Sequence, residues 1–299
     1  MLGIKKSPWI IHYDASSCNG CDIEVLACLT PGFDVERLGV INTGNPKHAD
    51  IFLVTGAVNP QSNSVIRNIY RQMPEPKVVV AVGTCACSGG IFREAYNISG
   101  GVDTIIPVDV YVSSCAARPE SIIDGVVQAL GVLDQKWKDM KEFAADIDKV
   151  VYGKATKEDL PAILALKKTA FYRESELYGD AGLPVEEQTL ASFEADFDRM
   201  TFIKASINGK IVGSARGYID GDTAHIGHIV VHPYCQGEGI GRRLVEDLQK
   251  ALSSAKRFEC RLGSKSSQAA WLEKQGYRRT KTETVTPALS WVYYQKDCA

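Results

Sequence analysis

Cys18 and Cys21 stand two residues apart in Ser17-Cys-Asn-Gly-Cys-Asp-Ile-Glu24, the spacing of half a four-thiolate site. Two later motifs supply the other half: Gly83-Thr-Cys85-Ala-Cys-Ser-Gly-Gly90 and Ser114-Cys115-Ala-Ala-Arg-Pro-Glu120. Each of the three follows an apolar run that reads as a strand: Trp9–Ile11, Lys77–Val82 and Val108–Val112. In a parallel sheet the ends of such strands share one edge, where open α/β sheets place their ligands. Cys18, Cys21, Cys85 and Cys115 are therefore expected to converge on one inorganic centre. Four thiolates suit zinc or an iron–sulfur cluster. Zinc ribbons use two close CxxC pairs on short hairpins, whereas these ligands come from distant strand ends, which favours a cluster.

The elements that must position these residues alternate. Extended runs are expected at Ile10–Tyr13, Ala49–Gly56, Val78–Val82 and Thr104–Val112, the last broken at Pro107. Helical periodicity fills Asp22–Leu29, Ser64–Met73 and Pro119–Leu130, with Pro119 near a helix start. Alternating β and α with continuously apolar strands predicts a doubly wound parallel sheet. Leu133–Lys149 is charged and can be helical, which reads as a semi-rigid connector or as a terminal helix lying on the first domain. The domains are expected at 1–133 and 150–299, joined by a helical linker at 134–149.

The chain's 299 residues are enough for about two domains of ~150 residues each. Residues 1–149 carry a net charge of −4 and residues 150–299 a net charge of +2, so neither half has the basic excess of a nucleic-acid binder. No apolar run reaches the ~20 residues of a membrane span. The first residues lack the apolar core of a signal peptide. A cytoplasmic protein is expected, and in a reducing cytosol clustered cysteines read as metal ligands rather than disulfides. Cys235, Cys260 and Cys298 show no ligand spacing.

Residues 7–131 resemble the cluster-bearing small subunit of energy-converting, membrane-associated NiFe hydrogenases, and are similar to the terminal-cluster subunit of respiratory complex I. The three cysteine motifs carry the resemblance, together with Gly44-Asn-Pro-Lys-His-Ala-Asp-Ile-Phe-Leu-Val-Thr-Gly56. CxxC rather than adjacent cysteines points to the hydrogenase branch. The resemblance implies a flavodoxin-like domain with one 4Fe-4S cluster on Cys18, Cys21, Cys85 and Cys115. It implies electron transfer between a nickel–iron large subunit and a ferredoxin-like iron–sulfur subunit, with membrane subunits in the same complex. That would hold the protein peripherally on the inner face of the membrane. It also implies a proton-passing role for Glu24, against a plain helix-start carboxylate, and a loop-fixing role for Arg118 and Glu120, against a surface ion pair. Cys87 reads as a neighbour of the ligands and Cys28 as packing. One departure is Ser113-Ser114, where the family has Pro-Gly before the last cysteine.

In the second half, Val150–Ala155 is strand-like and Thr156-Lys-Glu-Asp159 has the form of a capping box opening a helix toward Arg173. Glu186–Met200 is a second helical stretch. Strands are expected at Thr201–Ile207, Lys210–Ile219 and Thr223–His232, the first two joined by the hairpin signal Asn208-Gly209. Gln236-Gly-Glu-Gly-Ile-Gly241 then leads into a helix at Ile240–Leu252, and such a turn leaves amides free for an anion. It is not a P-loop, because no Gly-Lys-Ser/Thr ending follows.

Residues 150–296 resemble the GNAT superfamily of acetyltransferases, a mixed α/β fold. Gln236-x-x-Gly239-x-Gly241, the preceding Val230-Val-His-Pro233 and the late Ala269–Tyr277 carry that resemblance. It implies acetyl-CoA as co-substrate. The amides of Gly237, Gly239 and Gly241 would bind the pyrophosphate, Gln236 and Ile240 would be further cofactor-binding residues, and the backbone of Ile229, Val230 and Val231 would pair with the pantetheine arm. Acetyl transfer goes to an amine acceptor with a base to take its proton. The family's usual base, a Glu on this strand, is missing, which leaves His228 or His225. Leu272 stands where the family often has Tyr. The leading expectation is a fusion of the two functions. The alternatives are a complex I-type quinone-linked subunit, or a zinc-binding or metal-free scaffold with a degenerate acetyltransferase fold.

Overall fold

A computed structural model describes residues 7–175, 188–266, 268–286 and 289–298. The chain divides into two compact units, Met1–Lys141 and Glu142–Ala299.

The first unit is a five-stranded parallel sheet in the order β2-β1-β3-β4-β5. Its strands are β1 (Trp9–Asp14), β2 (Ile41–Asn42), β3 (Ile51–Thr55), β4 (Val78–Val82) and β5 (Val110–Val112). This is the doubly wound flavodoxin-like order, with its reversal between β1 and β3. The central strands β3 and β4 are buried at every residue, which is why both read as unbroken apolar runs. The helices are α1 (Gly20–Ala27), α2 (Pro60–Gln72), the one-turn α3 (Thr84–Ser88) and α4 (Pro119–Ala145).

Helix α2 starts four residues before the expected Ser64. Asn59 caps it reciprocally: its Oδ1 accepts from the Ser62 amide at 2.8 Å, and Ser62 Oγ accepts from the Asn59 amide at 3.0 Å. The expected strand Thr104–Val112 survives only as β5, because Val102–Thr104 closes a 3-10 turn ahead of Pro107. The stretch after Leu133 is not a separate element. It continues α4, where Leu133 and Trp137 pack in the first unit's core and Phe143 in the second's. Among the described residues no helix is long and apolar enough to cross a membrane.

The second unit is a seven-stranded mixed sheet in the order β11-β12-β10-β9-β8-β7-β6. The strands are β6 (Val151–Lys154), β7 (Thr201–Ile207), β8 (Lys210–Asp220), β9 (Thr223–Val231), β10 (Arg257–Gly263), β11 (Arg278–Thr284) and β12 (Ser290–Asp297). All pairs are antiparallel except β9 with β10. Asn208 and Gly209 both take positive φ, 49° and 82°, as a two-residue hairpin turn requires. Helix α7 (Ile240–Ala251) packs Leu244, Val245 and Leu248 on one face of the sheet. Helices α5 (Leu160–Ser175) and α6 (Leu190–Phe197) serve the other, through Leu160, Ile163 and Phe193 against Phe202. The expected helix Glu186–Met200 narrows to α6, and its first residues lie outside the described ones. Helix α8 (Ala269–Lys274) carries Leu272, which is fully buried.

Two features of β9 open this sheet. Its pairing with β10 stops at Ile226 and Cys260, although β9 runs on to Val231 and β10 to Gly263. On its other side the register with β8 shifts: Ser214 faces Val230 but Arg216 faces Gly227, so His228 and Ile229 oppose Ala215 alone. That is a bulge, and His228 takes the left-handed φ of 49° in it.

Candidate functional sites

The cysteines of the first unit leave the sheet at one edge. Cys18 and Cys21 follow β1, Cys85 follows β4 and Cys115 follows β5. Backbone pairing carries β4 and β5 past their ends. The Gly83 amide donates to Val112 O at 2.8 Å and the Thr84 amide to Ser114 O at 2.9 Å, which draws the Cys85 turn to the Cys115 loop. Gly83 has φ 86° and ψ 155°, a conformation essentially confined to glycine. A Cβ there would stand 2.5 Å from Cys21 Sγ, so the glycine vacates the space that this sulfur fills.

Cys18 and Cys115 are exposed, while Cys21 and Cys85 are half-buried. Burial raises the thiols of Cys21 and Cys85, and the charges of Cys18 and Cys115 add to the rise in both. Four sulfurs that feel one another in this way repel when ionised, and a cationic inorganic core offsets that repulsion. Soft thiolate donors alone, with glycine clearing the space around Cys21, fit an iron–sulfur cluster. Among the described residues no group of three or more His, Cys, Asp or Glu side chains is placed to hold a metal ion.

Cys87 shares part of this coupling, since the charges of Cys21 and Cys85 also raise it, whereas Cys28 does not. Cys87 Sγ donates to Ala81 O at 3.6 Å, and burial pushes its thiol up to about 11. Cys28 Sγ donates to Glu24 O at 3.2 Å and Pro119 O at 3.6 Å, and burial again pushes its thiol up to about 11. Both thiols have backbone carbonyl acceptors. Glu24 lies half-buried on α1, three residues past Cys21. Arg118 and Glu120 are exposed.

Sequence reasoning missed the polar network behind the CxxC turn. Asp22 accepts from the hydroxyls of Ser17 and of Thr55, the latter at 2.5 Å, and lies 3.1 Å from His12 Nε2. The Asn19 amide donates to Ser17 Oγ at 2.8 Å. The turn carrying Cys18 is thus tied to β1 and β3. Burial lowers His12 from its ordinary value, against the raising effect of Asp22. Asp22 was legible only as the residue after a cysteine.

In the second unit Gly239 is the N-cap of α7 at φ 79°, and Gly237 precedes it at φ 89°. Gln236 Nε2 donates to Val231 O at 3.0 Å, fastening the loop to the end of β9. The loop therefore stands directly beyond Ile229, Val230 and Val231, where β9 has parted from β10. A cavity of about 570 Å³ occupies this parting. Gly227, His228 and Ile229 line it from β9, Arg261 and Leu262 from β10, and Asp196, Arg216, Tyr218 and Trp291 from around it.

The two histidines of β9 differ. His228 sits half-buried in the bulge with Nδ1 shut off from solvent. Burial lowers it well below its ordinary value, and Arg216, Lys167 and Arg261 push the same way. His225 lines the cavity with Nδ1 3.1 Å from Glu259 Oε1, its ring stacked on Tyr218. Glu259 Oε2 accepts from Gln295 Nε2 at 2.7 Å. Register explains this row: Tyr218 faces His225 on β8, His225 neighbours Glu259 on β10, and Glu259 faces Gln295 on β12. Glu259 and Gln295 could not be found from the sequence, because only strand pairing brings them beside His225.

Comparison with known proteins follows the same division. The family model described as NADH ubiquinone oxidoreductase, 20 Kd subunit, matches residues 18–129, and the acetyltransferase (GNAT) domain model matches residues 181–298. The probable membrane-bound hydrogenase subunit mbhJ of Pyrococcus furiosus is 51% identical over 127 residues, 42% of this chain and 76% of that one. Formate hydrogenlyase subunit 7 of Escherichia coli is 44% identical over 133 residues, 44% of this chain and 52% of that one, so the chain spans about half of that relative's length. A solved N-acetyltransferase of Staphylococcus aureus Mu50 is similar at 20% identity and a TM-score of 0.42, over 50% of this chain and 98% of that one. Through its first unit the chain belongs to the hydrogenase and complex I 20 kDa subunit family, and it carries a C-terminal GNAT acetyltransferase domain.

Proposed function

We propose that the first unit is the electron-transfer subunit of a membrane-associated NiFe-hydrogenase-like complex, holding one 4Fe-4S cluster on Cys18, Cys21, Cys85 and Cys115. The observation that carries this reading is that the turns bearing these cysteines follow β1, β4 and β5 of one parallel sheet, with Cys21 Sγ against Gly83. The cluster supplies one-electron transfer. The chain's own residues hold it: Asp22 fastens the CxxC turn, and the Gly83 and Thr84 amides fasten the Cys85 and Cys115 loops together. The CxxC spacing and the likeness to hydrogenase subunits favour a nickel–iron large subunit, a ferredoxin-like subunit and membrane subunits as partners. They favour a peripheral place on the inner face of the membrane. Glu24, one helical turn from Cys21, is our candidate for passing protons toward the large subunit.

We infer further that the second unit transfers acetyl from acetyl-CoA to an amine. The Gln236–Gly241 loop takes the pyrophosphate, and the free edge of Ile229–Val231 takes the pantetheine arm. The amine nitrogen attacks the thioester carbonyl, the carbon–sulfur bond breaks, and CoA leaves as its thiolate. We assign the proton from the amine to His225 rather than His228. Glu259 on Nδ1 fixes the tautomer that leaves Nε2 to accept, whereas His228 is enclosed among cations.

The test is anaerobic EPR of the reduced full chain together with acetyl-CoA calorimetry. A cluster signal and saturable binding support the two halves separately. Bound zinc without iron, or no acetyl-CoA binding, overturns the corresponding half.

A further inference from the structure

The floor of the second unit's cavity is Gly227. A Cβ at Gly227 would meet nothing within 4 Å, so the space over it is open. His225 stands two residues away on the same face of β9, and Arg216 stands opposite Gly227 on β8. His225 and Arg216 are therefore diagonal neighbours, about 7–8 Å apart at the backbone, with the open space between them.

Arg216 is 5% exposed and lines the cavity. Its Nη1 donates to Asp196 Oδ2 at 2.8 Å. Its Nε is buried and has no hydrogen-bond partner among the described residues. One edge of the guanidinium is thus held and the Nε edge is unmatched. A guanidinium edge donates two parallel hydrogen bonds to a carboxylate, and a buried donor left unmet is costly. The charge around the floor agrees. Arg216, Lys167 and Arg261 all depress His228, and Asp196 is shared between Arg216 and the Gln188 amide, which donates to it at 2.9 Å.

We propose that the acetyl acceptor is an amino acid, its carboxylate taken by Arg216 and its amine presented to His225 over Gly227. This rests on the acetyltransferase reading above. An α-amino acid carries both groups on one carbon, which suits two side chains that lean in from diagonal positions.

The test is acetyl-CoA turnover by the full chain on three probes: leucine, leucinamide and isoamylamine. Leucine is expected to exceed both others in kcat/KM by at least about tenfold, the scale of one charge-assisted hydrogen-bonded anchor. Arg216→Met should abolish the preference, and Arg216→Lys should restore only part of it. Equal use of isoamylamine or leucinamide by the unaltered protein overturns the proposal without any variant, so a poorly folding variant does not shelter it. No turnover on any probe, with acetyl-CoA still bound in calorimetry, overturns the acceptor assignment and spares the cofactor reading. No acetyl-CoA binding overturns both.

Discussion

His225 Nδ1 and Glu259 Oε1 lie 3.1 Å apart because β9 and β10 are still paired at this register, one step before they separate. The parting that makes room for a ligand thus begins immediately beyond a fixed imidazole–carboxylate pair. Gln295 occupies the other oxygen of Glu259, so the carboxylate has one orientation to offer.

From this, Glu259→Gln is expected to lower kcat for acetyl transfer by about 10²–10⁴-fold, the range for a displaced general base. The Kd of acetyl-CoA should stay within about twofold. A loss of cofactor affinity matching the loss of kcat would make Glu259 structural instead. Stopped-time thiol release and calorimetry on the same preparation read the two quantities.

The legibility of this protein follows the range of its interactions. The cysteine motifs, the buried strand Val78–Val82 and the half-buried strand Thr201–Ile207 before its Asn-Gly turn could be read directly, because a ligand spacing, an apolar run and a turn signal are local facts. The strand order of the first unit and the His225–Glu259–Gln295 row could not, since both arise from pairings between distant segments. The helicity of the charge-rich stretch after Leu133 was legible, but its continuity with α4 was not, because the packing of Trp137 and Phe143 depends on distant segments. His228 was one of two histidines that the strand offered, and its enclosure depends on Lys167 and Arg216 from other elements.

Gly83→Ala places a Cβ 2.5 Å from Cys21 Sγ at a glycine-only conformation. It should lower stability by about 1–3 kcal/mol and reduce cluster occupancy after anaerobic reconstitution. Thermal unfolding and iron content check both. Full iron content in the variant would show that the Gly83 cradle does not position the site.

Lys167 is 2% exposed, and burial, followed by the charge of Arg216, lowers its amine to about 7. An unfolded lysine holds its proton to about pH 10.4. Between these values the unfolded chain binds more protons, so this group makes stability rise with pH from about 7 upward and weigh against folding below it. Lys167→Met should therefore stabilise the protein at pH 6, by about 1–4 kcal/mol, and by less at pH 9. Denaturant midpoints at the two pH values test the sign. A larger gain at pH 9 would contradict it.

Gly239→Glu sets a carboxylate at the N-cap of α7, where φ is 79°. Acetyl-CoA affinity should fall at least about tenfold through strain and repulsion of the pyrophosphate, while the cluster signal of the first unit stays unchanged. Calorimetry and EPR on one sample separate the two.

The central claim is that four particular thiols hold one cluster. It is tested most directly by anaerobic EPR and iron analysis of Cys115→Ser beside Cys87→Ser, both as the full chain. Cys87→Ser should keep one 4Fe-4S cluster per chain, and Cys115→Ser should lose or convert it. An intact cluster in Cys115→Ser, or its loss in Cys87→Ser alone, would contradict the claim.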